Sequence, residues 1–248
     1  MKLLLLIFLS LISFFSDKEG EKNKLKPVKI KPLSFHIIHV PEPSDICVHP
    51  FDNSFFVVSD NGFLFQVDSS GYVIRKADYL GYDCEGVYAD EKHVYVVEEM
   101  TRKIKLFDID SLNLVRTVYL PYAGGRNKAY ESFTFNKAKN RFIIITEKDP
   151  IYLFELDENL SVIQEINLGK IAGDISAATF FENHIWLLSD EDMQVMKLDP
   201  MSYEVLNRWT IPVVNPEGIA FNKKGQMIIV SDDMERMYIF NHPEKNEN

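Results

Sequence analysis

The amino-acid sequence predicts an all-β fold, a five-bladed β-propeller whose blades are four-stranded antiparallel sheets. One observation is a segment that recurs five times, at spacings of 41, 46, 45 and 41 residues. The others are the lack of long helix-periodic runs in the sequence and two chain ends that complement each other. Four strands every 41–46 residues is the period of a propeller blade. A six-bladed propeller is the alternative, if a degenerate blade is merged with its neighbour.

Two polar marker positions bracket a predicted hairpin in every repeat. The fifth repeat, PEGIAFNKKGQMIIVSD, shows the pattern: the first marker opens one apolar run and the second marker closes the next. The first markers are Ser44, Glu85, Glu131, Ser176 and Glu217. The second markers are Asp60, Glu99, Glu147, Asp190 and Asp232. A carboxylate at a similar offset in five apolar runs is a specific signal of internal repetition.

The chain ends predict how the ring closes. Each repeat continues with two more strand-like runs, for example KIKLFDID and NLVRTVYL in the second repeat. The fifth repeat is one strand short, because the chain ends at HPEKNEN. Upstream of the first repeat, residues 33–40 (LSFHIIHV) form an unpaired strand-like run. We expect this run to be the outer strand of the last blade, which would pair the two chain ends and protect a sheet edge.

The N-terminal segment predicts export. Lys2 precedes an apolar run over residues 3–15, whose 13 residues suit a signal-peptide core and are short for a membrane span. We expect the protein in the bacterial cell envelope, either periplasmic or tethered to the membrane through residues 3–15. The predicted divisions are a signal peptide or membrane anchor (1–16), a polar linker (17–32), a propeller domain (33–242) and a disordered tail (243–248).

The net charge of the chain disfavours nucleic acid as a partner, and the spacing of its two cysteines disfavours a disulfide bond. The formal net charge of −10 makes a nucleic-acid backbone an unfavourable partner. Cys47 and Cys84 fall on adjacent inner strands with an offset of about 13 Å, beyond the roughly 7 Å that a disulfide bridges. We therefore expect two free thiols that pack as small apolar side chains, in a monomeric protein.

The marker carboxylates are expected to gather at one mouth of the central channel. The innermost strand of a blade starts at the rim where the second strand ends, so both markers fall at the same rim. Like charges about 4 Å apart repel by roughly 1 kcal/mol in water and about 4 kcal/mol at an effective dielectric near 20. Three arrangements would offset this cost: bound Ca²⁺, ion pairs, or hydrogen bonds that the marker Glu or Ser side chains accept from backbone N–H groups of a neighbouring blade, which would staple the ring. The candidate metal ligands are Glu85, Glu131, Glu217, Asp60, Glu99, Glu147, Asp190 and Asp232.

Basic residues near the same rim are candidates for binding an anionic ligand: Arg126, Lys128, Lys148 and Arg236. The first two belong to PYAGGRNKAYE, a glycine-containing link that could close over the mouth, although an ordinary surface loop is the alternative. No catalytic residue is assigned. His49, His93 and His184 fall in turns at the opposite rim, which disfavours a His-dependent hydrolase and leaves a carboxylate–metal mechanism open.

The marker pattern resembles that of a known family. The order Ser, Glu, Glu, Ser, Glu at the first marker, with EG in the second and fifth repeats, is similar to the SdiA-regulated (YjiK-like) family of envelope β-propellers. The resemblance covers roughly residues 35–240. This chain departs from the family at the position after the marker, where Asp45, Ser132 and Ala177 replace the usual glycine. The resemblance implies export and a propeller, and it brings no established reaction.

We expect a binding or interaction module that presents the acid-rich mouth to an envelope protein or ligand, with Ca²⁺ as the candidate cofactor. One alternative is a Ca²⁺-dependent propeller hydrolase that resembles lactonases, phosphotriesterase-like proteins or phytases. Another is a purely structural scaffold. Because this fold hosts many functions, only the site can decide. A deep polar cavity with an open metal position would favour the enzyme, and a filled channel would favour the other two.

Overall fold

The computed structural model describes residues 25–121 and 130–246, and its secondary structure is almost entirely β. In these ranges the only helix is a short 3₁₀ segment at Pro243–Asn246, and no helix is long and apolar enough to span a membrane. Five small sheets surround a central axis, and their innermost strands contact one another in a closed ring. The predicted five-bladed propeller is confirmed.

Two short strands precede the first blade: β1 (Val28–Lys29) and β2 (Ser34–Ile37). The first blade contains β3 (Pro43–Val48), β4 (Phe55–Ser59), β5 (Phe63–Val67) and β6 (Val73–Lys76). The second contains β7 (Cys84–Ala89), β8 (His93–Glu98), β9 (Lys103–Asp108) and β10 (Leu114–Tyr119). The third contains β11 (Tyr130–Asn136), β12 (Arg141–Thr146), β13 (Ile151–Leu156) and β14 (Val162–Gly169).

The last two blades complete the ring. The fourth contains β15 (Ala177–Phe181), β16 (His184–Ser189), β17 (Gln194–Leu198) and β18 (Val205–Thr210). The fifth contains β19 (Pro216–Phe221), β20 (Met227–Ser231) and β21 (Arg236–Phe240). Its outer strand is β2, which runs antiparallel to β21, with Phe35 opposite Tyr238. The expected pairing of the two chain ends is confirmed.

Residues 28–30, near the end of the predicted linker, pair with the fourth blade. β1 runs parallel to β18 and gives the fourth blade a fifth strand, with Val28 opposite Trp209. The backbone N–H of Ile30 donates to the carbonyl of Thr210 at 3.1 Å. The Ile30 side chain is 3% exposed and packs in the cluster that contains Trp209. Burial of this one apolar residue holds the segment against the blade.

The first residues of the predicted tail also contact the propeller. Pro243–Asn246 forms the 3₁₀ segment, and the Glu244 carboxylate pairs with the ammonium of Lys197 on β17. His242 is buried against the rings of Trp186 and Phe221. These contacts fasten the described end of the chain to the fourth and fifth blades.

One hydrophobic cluster fills each of the five interfaces between neighbouring blades. The second strands are therefore covered on both faces, and every residue of β4 and β20 is buried. This burial explains why the second run of each repeat is continuously apolar rather than alternating. Cys47 and Cys84 pack in the cluster between the first two blades and are free, as expected.

Candidate functional site

The first ends of the inner strands surround a cavity of about 530 Å³ at one mouth of the channel. Lys148 is the one basic side chain among its lining residues, and Met100 and Ser176 also face it. Seven of the eight candidate metal ligands line this cavity; Asp232 does not, although its charge acts on Asp60 and Glu217. The ten acidic residues that line it are Asp60, Asp83, Glu85, Glu99, Glu131, Glu147, Asp174, Asp190, Glu191 and Glu217.

A β-bulge lies at the first marker in four of the five inner strands. Cys84 pairs with Glu98 and Gly86 pairs with Val97, so Glu85 between them has no cross-strand partner. The same shift skips Ser44, Glu131 and Glu217. A bulge frees one residue from the ladder and re-aims its side chain. The bulges thus release the three marker glutamates toward the cavity that they line.

The two marker serines staple neighbouring blades. The Ser44 hydroxyl donates to the carbonyl of Cys84 on the second blade. The Ser176 hydroxyl donates to the carbonyl of Pro216 on the fifth blade at 2.9 Å. The expected staples are therefore present at the serines, which act as donors rather than acceptors. Among the described residues, none donates a backbone N–H to Glu85 or Glu217.

Asp45 supplies the acceptor that the sequence pattern assigned to the markers. Its carboxylate accepts hydrogen bonds at 2.8 Å from the backbone N–H of Ile46 and at 2.8 Å from that of Val87 on the second blade. The backbone N–H of Ile219 on the fifth blade also bonds to it. Asp45 is 1% exposed, and burial raises the pKa of its carboxyl well above the usual range. One side chain therefore ties three blades together.

In the fifth blade the close approach of the adjacent inner strand requires the glycine after the marker. A Cβ on Gly218 would lie 2.8 Å from the Cα of Asp45 and 2.8 Å from the backbone nitrogen of Ile46. At Gly86 the contact is less close, because a Cβ would lie 3.1 Å from the backbone nitrogen of Phe133. Gly218 is therefore needed for packing of the ring, and Gly86 fits a tight contact.

Burial and mutual repulsion raise the pKa values of the central carboxyls. The pKa of Glu85 lies well above its usual range because of burial first and the charge of Glu131 second. Burial and then the charge of Glu99 raise the pKa of Glu131 in the same way. Burial followed by the charge of Asp190 raises the pKa of Glu217 to about 8. At neutral pH part of this carboxyl cluster is therefore protonated.

Lys148 is held by acids rather than free to bind an anion. Its Nζ lies 2.5 Å from Glu147 Oε1 and 3.0 Å from Glu191 Oε1. These hydrogen bonds raise the pKa of Lys148 above its usual range. Because Glu191 follows the second strand of the fourth blade, the ion pairs also bridge the third and fourth blades. Lys148 thus neutralises part of the acidic rim.

Arg236, another candidate ligand-binding residue, does not line the cavity. Its guanidinium lies 4.4 Å above the ring of Phe35 on β2. Arg126 and Lys128 lie outside the described residues. No histidine lines the cavity in the described part of the chain, in line with the turns predicted for them.

Two acids that line the cavity were not predicted from the sequence, Asp83 and Asp174. Glu191, which also lines it, directly follows the second marker Asp190 and was expected at this mouth. Asp83 and Asp174 each lie two positions before a first marker. This recurrence could have predicted from the sequence that both face the cavity. The Asp174 carboxylate accepts from the Ser189 hydroxyl at 2.6 Å and from the Glu191 N–H at 3.1 Å. It therefore ties the end of a second strand to the segment that enters the inner strand.

The donor set suits a hard divalent cation, because every acidic ligand offers carboxylate oxygen. In the described ranges, however, no three Asp, Glu, His or Cys side chains converge on one point where they could hold an ion as they stand. Cation binding here would require the glutamate side chains to rotate inward.

Comparison with known proteins identifies the family. The family model described as SdiA-regulated matches residues 36–241. The chain belongs to the SdiA-regulated family. Among solved structures, the crystal structure of Myxococcus xanthus glutaminyl cyclase aligns with a TM-score of 0.68 and 15% identity, over 86% of this chain and 97% of that one. At this identity the likeness shows the propeller fold alone. No curated protein matches the chain.

Proposed function

We propose that this propeller is a binding module of the bacterial cell envelope, whose acid-rich cavity holds Ca²⁺ and presents it to a ligand or partner protein. The proposal rests on one observation: ten acidic residues line a single cavity. Among the described lining residues, Lys148 alone is basic, and it neutralises only part of their negative charge. Envelope location is supported by the apolar run over residues 3–15 and by the family resemblance.

Hydrogen bonding between blades does not explain why the three marker glutamates face the cavity. Stapling is carried out by Ser44, Ser176 and Asp45. Glu85, Glu131 and Glu217 instead face the cavity at a cost, since burial disfavours their charged forms. A bound cation would remove that cost by compensating the ionised carboxylates.

Ca²⁺ fits the cavity better than Mg²⁺ does. Ca²⁺ accepts 6–8 oxygen ligands in irregular geometries, whereas Mg²⁺ demands a near-ideal octahedron. A cavity of about 530 Å³ leaves room for water molecules beside the carboxylates. Glutamate side chains have enough rotatable bonds to turn toward an ion.

Thermal unfolding of the protein that begins at Lys18 tests the proposal, in EDTA and then in millimolar Ca²⁺ or Mg²⁺. A ligand at about 100 times its Kd adds about 2.7 kcal/mol, which is a shift of several degrees in Tm. We expect Ca²⁺ to raise Tm more than Mg²⁺ does. Glu131→Gln and Glu217→Gln should reduce the rise, and Glu165→Gln on the exposed outer strand β14 should not. Equal Tm values in EDTA and both ions would rule the proposal out.

A Ca²⁺-dependent enzyme is the second candidate, favoured by the pKa of about 8 at Glu217. A buried carboxyl that titrates near neutral pH inside an open cavity suits general acid–base catalysis. Lactone, phosphotriester and phytate substrates test it, together with a peptide that begins with glutamine, since one protein of similar structure is a glutaminyl cyclase. Turnover that Glu217→Gln abolishes would favour the enzyme, and no turnover on the panel would favour the binding module.

A further inference from the structure

The opposite mouth of the channel contains a second cavity of about 310 Å³ with a different chemistry. All five inner strands contribute to it where they end, through Val48, Ala89, Phe135, Phe181 and Phe221. No acidic side chain lines this cavity in the described part of the chain. From this geometry we propose that it binds a small aromatic carboxylate, with the ring inside the mouth and the carboxylate at its basic lip.

Aromatic rings form the wall of this cavity. Tyr88, Phe135, Phe180 and Phe181 are half-buried, so part of each ring faces the open space. The rings of Phe181 and Phe221 are stacked with centroids 4.4 Å apart and an angle of 4° between their planes. Flat apolar walls of this kind favour a flat ligand, because offset and edge-to-face ring contacts add to the energy of burying apolar area.

Hydroxyl groups in the wall can orient such a ligand. Thr134 and Tyr88 line the cavity, and Thr134 is 2% exposed. Each carries a hydroxyl that can donate or accept a hydrogen bond, so the wall offers polar partners beside its aromatic rings.

The lip of the cavity is positively charged in a protein whose formal net charge is −10. Lys137 and Lys223 are exposed there, just beyond β11 and β19. The His49 Nδ1 accepts the Phe51 N–H at 3.3 Å, and burial lowers the pKa of this histidine. The lip offers donors, and charge complementarity selects an anionic group.

Size limits the ligand to a small molecule. A cavity of about 310 Å³ lies at the lower end of the range for small-molecule pockets, roughly 300–1,000 Å³. One ring or two fused rings fill such a space, and a folded partner does not enter it. The site is independent of the acidic cavity, because an inner strand of six residues at about 3.3 Å each separates the two mouths.

Calorimetric titration with 2-naphthoate, and with the neutral isostere 2-naphthamide, tests the inference on the protein that begins at Lys18. We expect 2-naphthoate to bind with 1:1 stoichiometry, and 2-naphthamide to bind at least about tenfold more weakly because it lacks the charge. The double variant Lys137→Glu/Lys223→Glu should weaken naphthoate binding at least about tenfold. Ala89→Trp should block binding by filling the mouth while Tm shows that the protein stays folded.

The matched control is Lys92→Glu/Lys224→Glu, which changes the net charge equally at exposed positions of the same rim that do not line this cavity. This variant should bind naphthoate like the parent, and so should Glu217→Gln in EDTA. Equal affinities for naphthoate and naphthamide would overturn the inference, and so would equal weakening of naphthoate binding in the two double variants. Tighter binding of palmitate than of naphthoate, or no naphthoate binding at about 10 mM, would also overturn it. Since the acidic cavity takes no part, failure here leaves the proposed cation site untouched.

Discussion

Serine and glutamate at the first marker have different tasks although they occupy equivalent positions in successive blades. A serine is short and carries a donor, so Ser44 and Ser176 reach the carbonyl of the neighbouring inner strand. Glu85 and Glu217, whose side chains are longer, line the cavity instead. Side-chain chemistry at one repeated position thus separates ring closure from the proposed binding.

Ser176→Ala should destabilise the ring without removing a carboxylate from the acidic cavity. The substitution leaves the carbonyl of Pro216 without its hydrogen bond, which costs about 1–3 kcal/mol for a buried acceptor. Urea denaturation measures the change, and Ser70→Ala at an exposed turn is the control. We expect the Ca²⁺-dependent rise in Tm to persist in Ser176→Ala. A free energy of unfolding equal to that of Ser70→Ala would show that this bond is not a staple.

The raised pKa of Glu217 predicts that metal-free stability falls as pH rises. Its pKa is about 8 in the folded protein and about 4.5 in an unfolded chain, so the folded state binds more protons between these values. In EDTA, Tm should therefore decrease from pH 6.5 to pH 8.5. This window avoids His49 and His242, whose lowered pKa values act below pH 6.5. Glu217→Gln should flatten the decrease and Glu165→Gln should not; an unchanged slope in Glu217→Gln would contradict the assignment.

The strands that close the ring were predictable because their sequence pattern is local. Residues 33–40 alternate visibly, and the last repeat lacks one strand, so the pairing of β2 with β21 followed. β1 was not predictable, because it is two residues long in a Lys-rich segment and depends on burial of Ile30 near Trp209. The bulges at the markers were also hidden, since a register shift depends on the partner strand.

Ile30→Ala tests whether β1 belongs to the fourth blade. Removal of a buried isoleucine side chain costs about 2–5 kcal/mol, through lost burial and the cavity left behind. The same change at Val28, whose side chain is 36% exposed on the same strand, should cost about 0.5 kcal/mol or less. Chemical denaturation of both variants measures the difference. Equal free energies of unfolding would mean that the segment does not stabilise the blade.

The whole ring brings two different chemistries to the two ends of one channel. Inner strands begin at an acidic cavity and end at an aromatic cavity with a basic lip. The sequence predicted the acidic end, because its markers repeat in every blade. No comparable signal marked the aromatic end, since Tyr88, Phe135, Phe181 and Phe221 read as ordinary strand residues. The ring alone places them around one opening.

Calorimetric titration of Ca²⁺ at pH 7, in two buffers of different ionisation enthalpy, tests the acidic cavity most directly. Part of the carboxyl cluster holds protons at this pH, with Glu217 titrating near 8, so a bound cation must displace them. We expect saturable binding whose heat differs between the buffers, which demonstrates proton release, and a smaller difference for Glu217→Gln. Absence of saturable heat in both buffers at millimolar Ca²⁺ would contradict the cation site.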